Sequence, residues 1–227
     1  MKKGKLIVFE GTDCSGKETQ SNLIVKFLNE NNFPTKKFAF PNYNSPTGKI
    51  IAGAYLGKEG YMAPVFEEGA SNVDTYVASL LFAMDRKYNI KEIEQSLNDG
   101  FNVVLDRYID SNMAHQSSKV AEAEQEKVFN FIEKLEYDLL ELPKADLELF
   151  LHMPIWAGKE LKANRAEKPD QHEQNNDYLI RSENTYLKLA KRRKMKTIEC
   201  TINDRIKTVP EIHAEIKAVV LDYLNKN

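Results

Sequence analysis

Seven consecutive residues, Gly11-Thr12-Asp13-Cys14-Ser15-Gly16-Lys17, bring two glycines, two hydroxyls and a lysine together at the spacing G-x-x-x-x-G-K. Glycines allow a turn in which backbone N–H groups close around an anion, and a lysine opening the next helix adds charge to the helix dipole. The chemistry on offer is the holding of a polyphosphate. The pattern arises by chance in roughly one chain in fifteen of this length, and a plain glycine turn reads the same, so context has to decide. Leu6-Ile7-Val8-Phe9 precedes it as a continuous apolar run, and Leu23, Ile24, Phe27 and Leu28 follow at helical spacing. Strand, glycine turn and helix is the order that a phosphate loop requires. Gly11, Ser15, Gly16, Lys17, Glu18 and Thr19 are the expected contacts of the polyphosphate and its cation. Glu18 stands where such loops carry the serine or threonine that holds Mg2+, and Thr19 comes one place late. A carboxylate there repels the phosphates unless the cation sits between them, which predicts a stricter metal requirement.

A second constellation begins at Phe82 and Arg86, four residues apart on one helical face. An aromatic face suits the stacking of a base, and a planar guanidinium suits its acceptor edge. The alternative is that Phe82 is core and Arg86 a solvated charge. Asp106-Arg107 closes the apolar run at 101–105, and ligands in open parallel sheets bind beyond the carboxyl ends of strands. Here the alternative is a structural ion pair.

The elements that must position these groups alternate between strand and helix. Strands are predicted at 6–9, 36–40, 101–105, 147–151 and, more weakly, 197–200; helices are predicted at 17–28, at 45–56 and, as one helix or two abutting ones, at 73–97. The last carries Val77, Leu80, Leu81, Met84, Tyr88, Ile90, Ile93 and Leu97 at helical spacing and ends at Gly100. No repeat or linker divides the chain. The expectation is a single α/β domain over 1–227, a doubly wound five-stranded parallel sheet with helices on both faces, the first strand central, and a polar stretch at 166–177 inside a short lid at about 157–178.

With 32 Lys+Arg against 34 Asp+Glu and a net charge of −2, no general affinity for nucleic acid or for an anionic membrane is expected. The basic run at 191–196 falls at a helix C-terminus, where cations complement the dipole, and reads as a solvated end. Cys14 and Cys200 are too few for a disulfide framework, which favours a reducing, cytoplasmic setting. The apolar run after the N-terminal lysines is too short for a secretory signal, and no stretch approaches the ~18 apolar residues of a membrane span. His115, His152, His172 and His213 are scattered and suggest no metal cluster.

The runs Phe9-Glu10-Gly11-Thr12-Asp13, Leu81-Phe82-Ala83-Met84-Asp85-Arg86 and Asp106-Arg107-Tyr108-Ile109-Asp110-Ser111-Asn112, with Phe40-Pro41 and Leu142-Pro143-Lys144-Ala145-Asp146-Leu147, are similar to the thymidylate kinase family, in order and across nearly the whole chain. The resemblance implies a P-loop NTP hydrolase type of fold and transfer of the ATP γ-phosphate to dTMP, with Mg2+, in dTTP synthesis. It implies that Phe82 stacks on thymine, Arg86 bonds the base edge and Asp13 accepts from the sugar 3′-hydroxyl. Arg107 would bridge the acceptor phosphate and the transferred group, and Asp106 would orient it or hold a metal water. Phe40, Pro41, Ser111, Asn112 and Gln116 would complete the acceptor pocket, and Cys200-Thr201-Ile202-Asn203 would lie near the adenine. His115 stands where some relatives have a tyrosine near the sugar C2′, and Tyr43 where several have an arginine against the acceptor phosphate. Cys14 cannot supply the loop arginine found in part of the family, so Arg165, followed by Lys162 and Lys168, is the expected donor-side cation. A homodimer through helices beside the sheet is also implied. Two other readings stay open: a kinase for another deoxynucleoside monophosphate, or a catalytically weak nucleotide-binding paralogue.

Overall fold

The computed structural model describes residues 3–163 and 176–226. Strand β1 (Leu6–Gly11) is buried at all six positions, as a parallel strand covered on both faces must be. It pairs in parallel with β3 (Asn102–Asp106) and β4 (Leu147–His152); β2 (Thr35–Ala39) and β5 (Lys196–Glu199) complete the sheet in the order β2-β3-β1-β4-β5. This is the five-stranded doubly wound sheet that the alternation predicts, with β1 in the centre. Phe9 lies opposite Asp106 on β3 and opposite Leu149 on β4. The turn after β1 and the Asp106-Arg107 pair therefore emerge side by side at the carboxyl edge, where the strand order reverses.

Alternate residues of each strand feed opposite cores. Leu6, Val8, Val103, Leu105 and Phe150 pack against helices α3 (Thr75–Asn98), α4 (Ile109–Ser117), α5 (Glu122–Glu133) and α7 (Asn176–Arg193). Ile7, Phe9, Val104, Leu149 and Leu151 pack against α1 (Lys17–Glu30) and α8 (Val209–Lys226). A third, smaller cluster joins Ile51, Tyr55 and Leu56 to Ala70, Val73 and Ala78. After β4 comes α6 (Ile155–Ala163), and a hairpin of β6 (Thr201–Ile202) and β7 (Arg205–Ile206) follows β5. His152, at the end of β4, bonds Glu183 of α7 at 2.9 Å and Glu199 of β5 at 2.7 Å, and the Glu183 bond above all raises its proton affinity. Among the described residues no helix is long and apolar enough to cross a membrane.

Three details depart from the periodicity. The helix expected at 45–56 is a short α2 (Pro46–Ile50) running into a π-helical turn (Ile51–Tyr55), with Ser45 as N-cap accepting from the Gly48 N–H. The segment at 73–97 is one helix, α3, started by Asp74, but Val77, Leu80, Met84 and Tyr88 are 43%, 50%, 38% and 59% exposed. Its buried face carries Ala78, Ala83, Asp85, Arg86, Ile90, Ile93 and Leu97 instead, because helical spacing alone cannot tell a core stripe from a second apolar stripe. The basic helix end is not left to water either. Arg192 meets Glu133 at 2.8 Å, and Arg193 meets Asp110 at 3.2 Å and Glu133 at 3.0 Å, tying α7 to α4 and α5.

Candidate active site

The turn between β1 and α1 is shaped by close approach. A Cβ on Gly11 would lie 2.5 Å from the Leu151 carbonyl oxygen and 2.8 Å from Ser15 Oγ, so only glycine fits there. Gly16 takes φ +78° and Cys14 φ +59°, left-handed conformations that fold the loop back on itself. Thr12 Oγ1 anchors the loop by donating to the Met153 carbonyl at 2.9 Å. The N-cap residue of α1, Gly16, has no side chain to cap the first turn, so the helix dipole is turned toward the loop. Lys17 is buried and bends back, Nζ donating to the Thr12 carbonyl at 2.6 Å and to Ser15 Oγ at 3.2 Å. Burial, reinforced by Arg107, lowers its pKa to about 8 against the opposing pull of Asp13, Asp106 and Glu10. Glu18 and Thr19 are exposed on the same first turn, and Asp106 is half-buried at the end of β3. Among the described residues there is no cluster of three or more metal-ligating side chains. Mg2+ needs no such cage, since it keeps several waters and takes one or two carboxylates with the phosphates, the donor type that Glu18 and Asp106 carry. Between the loop and α6 lies a small cavity lined by Thr12, Asp13, Met153, Ile155 and Gly158, and Trp156 stands 46% exposed on that helix.

Beside this cradle opens a cleft of about 570 Å³, counted together with the open solvent at its mouth. Asp13 and Arg107 form its boundary with the phosphate loop; Phe40, Pro41, Phe82 and Arg86 line one part, and Ser111, Asn112, His115 and Gln116 of α4 another. All the residues expected at an acceptor pocket thus face one space, together with Tyr43, Leu56 and Tyr108. Arg107, at φ +66°, directs its guanidinium across the boundary: Nη2 pairs with Asp13 at 2.5 Å, and Nη1 lies 3.3 Å from each of the Gly11 carbonyl, Ser111 Oγ and Tyr186 Oη. Burial opposes the charge, but Tyr186, Asp13, Asp106 and Glu10 outweigh it and hold Arg107 protonated. The Asp13 contact is an ion pair, yet it lies in the wall of a cleft and not within packed core. Arg165 and Lys168 lie outside the described residues.

Arg86 is neither solvated nor a mere surface charge. It is 2% exposed, and its Nε and Nη2 both donate to the carboxylate of Glu136, Nη2 at 2.6 Å. Glu136 sits on a π-helical turn (Lys134–Leu139) that extends α5, and also accepts from Asn112 Nδ2 at 2.9 Å. Phe82 is set edge-on to Tyr55, with ring centroids 5.5 Å apart. Asp85 bonds the Asn42 N–H at 2.8 Å and Thr47 Oγ1 at 2.6 Å, which pins the loop after Pro41 against α3.

Sequence reasoning left several contributors without a role. Glu10, fully buried, accepts from the Tyr108 N–H at 2.8 Å, the Ser111 N–H at 3.1 Å and Ser111 Oγ, and so caps α4 from the neighbouring strand. Burial, then the nearby Asp110, raises its pKa to about 7. Tyr186 and Tyr178 reach in from α7, bonding Ser111 Oγ at 2.9 Å and His115 Nδ1 at 2.9 Å. Only Glu10, inside the run at 9–13, carried a signal. Glu136 and the tyrosines look like ordinary members of amphipathic helices until the chain is folded. At the departure Tyr43, the Lys58 ammonium stands 4.8 Å from the ring centroid.

The family model for thymidylate kinase matches residues 9–216. The chain is 35% identical over 213 residues to a probable thymidylate kinase of Methanocaldococcus jannaschii, covering 92% of each, and 27% identical over 216 residues to the thymidylate kinase of Danio rerio, covering 95% of this chain and 89% of that one. The match to the Plasmodium falciparum thymidylate kinase is 43% over 116 residues and spans about half the length of each protein, 51% of this chain and 50% of that one. The solved structure of the Candida albicans thymidylate kinase superposes with a TM-score of 0.74 over 99% of this chain and 94% of that one, at 24% identity, a likeness of fold.

Proposed function

The chain belongs to the thymidylate kinase family, ATP-dependent nucleoside monophosphate kinases, and from that premise we propose that it transfers the γ-phosphoryl group of ATP to dTMP, giving dTDP and ADP, at the junction of cradle and cleft. The observation that carries this reading is the shared boundary: Asp13 belongs to the phosphate loop, Arg107 to the end of the next strand, and their 2.5 Å pair stands where the two spaces meet. An oxygen of the dTMP phosphate attacks the γ-phosphorus as the bond to the β-phosphate oxygen breaks. That oxygen needs no base to activate it, so the work of the protein is positioning and charge neutralisation. The N–H groups of the loop and Lys17 hold the donor phosphates, Arg107 turns toward the incoming phosphate, and Asp13 accepts from the sugar 3′-hydroxyl. Phe82 stacks on thymine while Arg86, Asn112 and Gln116 face its polar edge. Gln116 Nε2 and Oε1 and Asn112 Oδ1 are buried without a hydrogen-bond partner among the described residues, which is costly unless a ligand completes them. Asp106 and Glu18, through carboxylate oxygens or waters, would hold Mg2+, which would supply positive charge to the donor phosphates. The segment at about 157–178 serves as the lid, with Arg165 as its cation.

The same reading makes the protein a cytoplasmic homodimer with no nucleic-acid or membrane partner. The exposed stripe Val77, Leu80, Met84 and Tyr88 on α3 supports the dimer, since a run of large apolar side chains on one helix face is disfavoured in water. Coupled spectrophotometric detection of ADP with dTMP, dUMP, dCMP and dAMP as acceptors tests the activity. A clear preference for dTMP is expected; preference for another acceptor, or ATP binding without acceptor-dependent ADP release, overturns it.

A further inference from the structure

The wall of the cleft that faces the base has a fixed polarity. Asn112 Nδ2 donates to the Ser79 carbonyl at 3.1 Å and to Glu136 Oε1 at 2.9 Å. Both partners are pure acceptors, so turning the amide over would set its oxygen against two others. Oδ1 is thereby held as the acceptor of this cleft-lining residue, buried and without a partner among the described residues. Arg86 is fixed in the complementary sense. Of its five N–H donors, Nε and one on Nη2 go to Glu136, and one on Nη1 lies 3.4 Å from the Tyr108 carbonyl. The remaining bonds, one on each Nη, can only donate.

Glu136, 0% exposed, contacts both readers and lines no part of the cleft itself. We propose that Glu136 is the positioning residue for base selectivity: by holding Arg86 as donor and Asn112 as acceptor, it makes the cleft complementary to a C=O beside an N–H, the 4-oxo, N3–H edge of a pyrimidine. A 4-amino pyrimidine turns a donor toward Arg86 and a lone pair toward Asn112 Oδ1, leaving buried groups opposed. The inference rests on the dTMP reading above and names the group that sets its preference. An amide at position 136 must set its NH2 against Arg86 Nε in place of Oε2, or against both Arg86 Nη2 and Asn112 Nδ2 in place of Oε1, so in either orientation Arg86 loses an acceptor and turns.

The experiment measures kcat/KM of the full chain, its Glu136→Gln variant and its Glu136→Asp variant with dTMP, dUMP and dCMP at saturating ATP. dUMP and dCMP differ only at the 4-substituent and N3, so their ratio isolates this edge. For Glu136→Gln the ratio is expected to fall at least about tenfold, since sites that hydrogen-bond a polar edge discriminate through it. The loss should lie in KM, with kcat for dTMP kept within about threefold. The ratio cancels the concentration of folded enzyme, so lost stability cannot imitate the effect. Glu136→Asp keeps the charge and cannot span both partners; it should lower the ratio less and decides the matter where the glutamine variant does not fold. An unchanged ratio, including dCMP turnover that stays undetectable while dUMP turnover persists, overturns the proposal, as does failure of both variants to fold. A wild-type protein that does not prefer dTMP overturns the underlying reading instead, whereas a dTMP-preferring wild type beside variants of unchanged ratio overturns only the role of Glu136.

Discussion

The donor cradle and the acceptor cleft touch at one ion pair but are made in opposite ways. The cradle is a run of seven residues whose working groups are main-chain N–H bonds and a single lysine, held in place by glycines at 11 and 16 and by one anchor from Thr12 to Met153. The cleft is made of side chains from the loop after β2, from α3 and from α4, and three of its polar members are held by partners far away in sequence: Arg86 by Glu136, Ser111 by Glu10, His115 by Tyr178. A site made of backbone treats every phosphate chain alike. One made of tethered side chains can discriminate among bases, and it inherits the stability of every tether.

If this contrast is right, damage to the cradle should reduce turnover whatever the acceptor, whereas damage to the cleft should reach the acceptor's KM first. The largest effect is expected from Lys17→Ala, a fall in kcat of about 10³-fold with dTMP affinity little changed, because a donor aimed at transition-state charge is removed. Steady-state rates and dTMP titration calorimetry read the two halves separately, and an equal loss with dTMP affinity would erase the distinction. Next comes Phe82→Ala: loss of base stacking should raise the KM for dTMP about 10- to 100-fold and leave the KM for ATP alone. A pH profile sharpens the comparison further. The Lys17 pKa is lowered to about 8 by burial, and only the protonated form attracts phosphate, so kcat/KM for ATP should fall about tenfold per unit as pH rises above about 8. Lys17→Arg should abolish that limb if the substituted enzyme retains activity. The smallest change belongs to Glu18→Thr, expected to shift the Mg2+ concentration dependence about two- to fivefold; identical Mg2+ curves and turnover would remove Glu18 from the metal's surroundings.

The same contrast explains what could be read from the chain. Leu6-Ile7-Val8-Phe9 and the loop after it were legible because a buried parallel strand is a continuous apolar run and a phosphate loop is a contiguous motif. Asp106-Arg107 was legible for its place at a strand end. The bidentate hold of Glu136 on Arg86 joins positions 50 residues apart, and no local pattern distinguishes Glu136 from the other acidic residues around it. Tyr186 is hidden in the same way, 75 residues from Ser111. In α3 the sequence carries two apolar stripes, and only packing shows that Ile90, Ile93 and Leu97 face the core while Val77, Leu80, Met84 and Tyr88 do not.

Trp156 is the only tryptophan in the chain, and it sits 46% exposed on the helix that borders the cavity beside Thr12 and Asp13. The molecule therefore carries a single indole, on the helix that borders this cavity. Emission excited at the red edge of indole absorption comes from that one ring, so unlabelled stopped-flow traces can time events at this helix separately from events in the cleft.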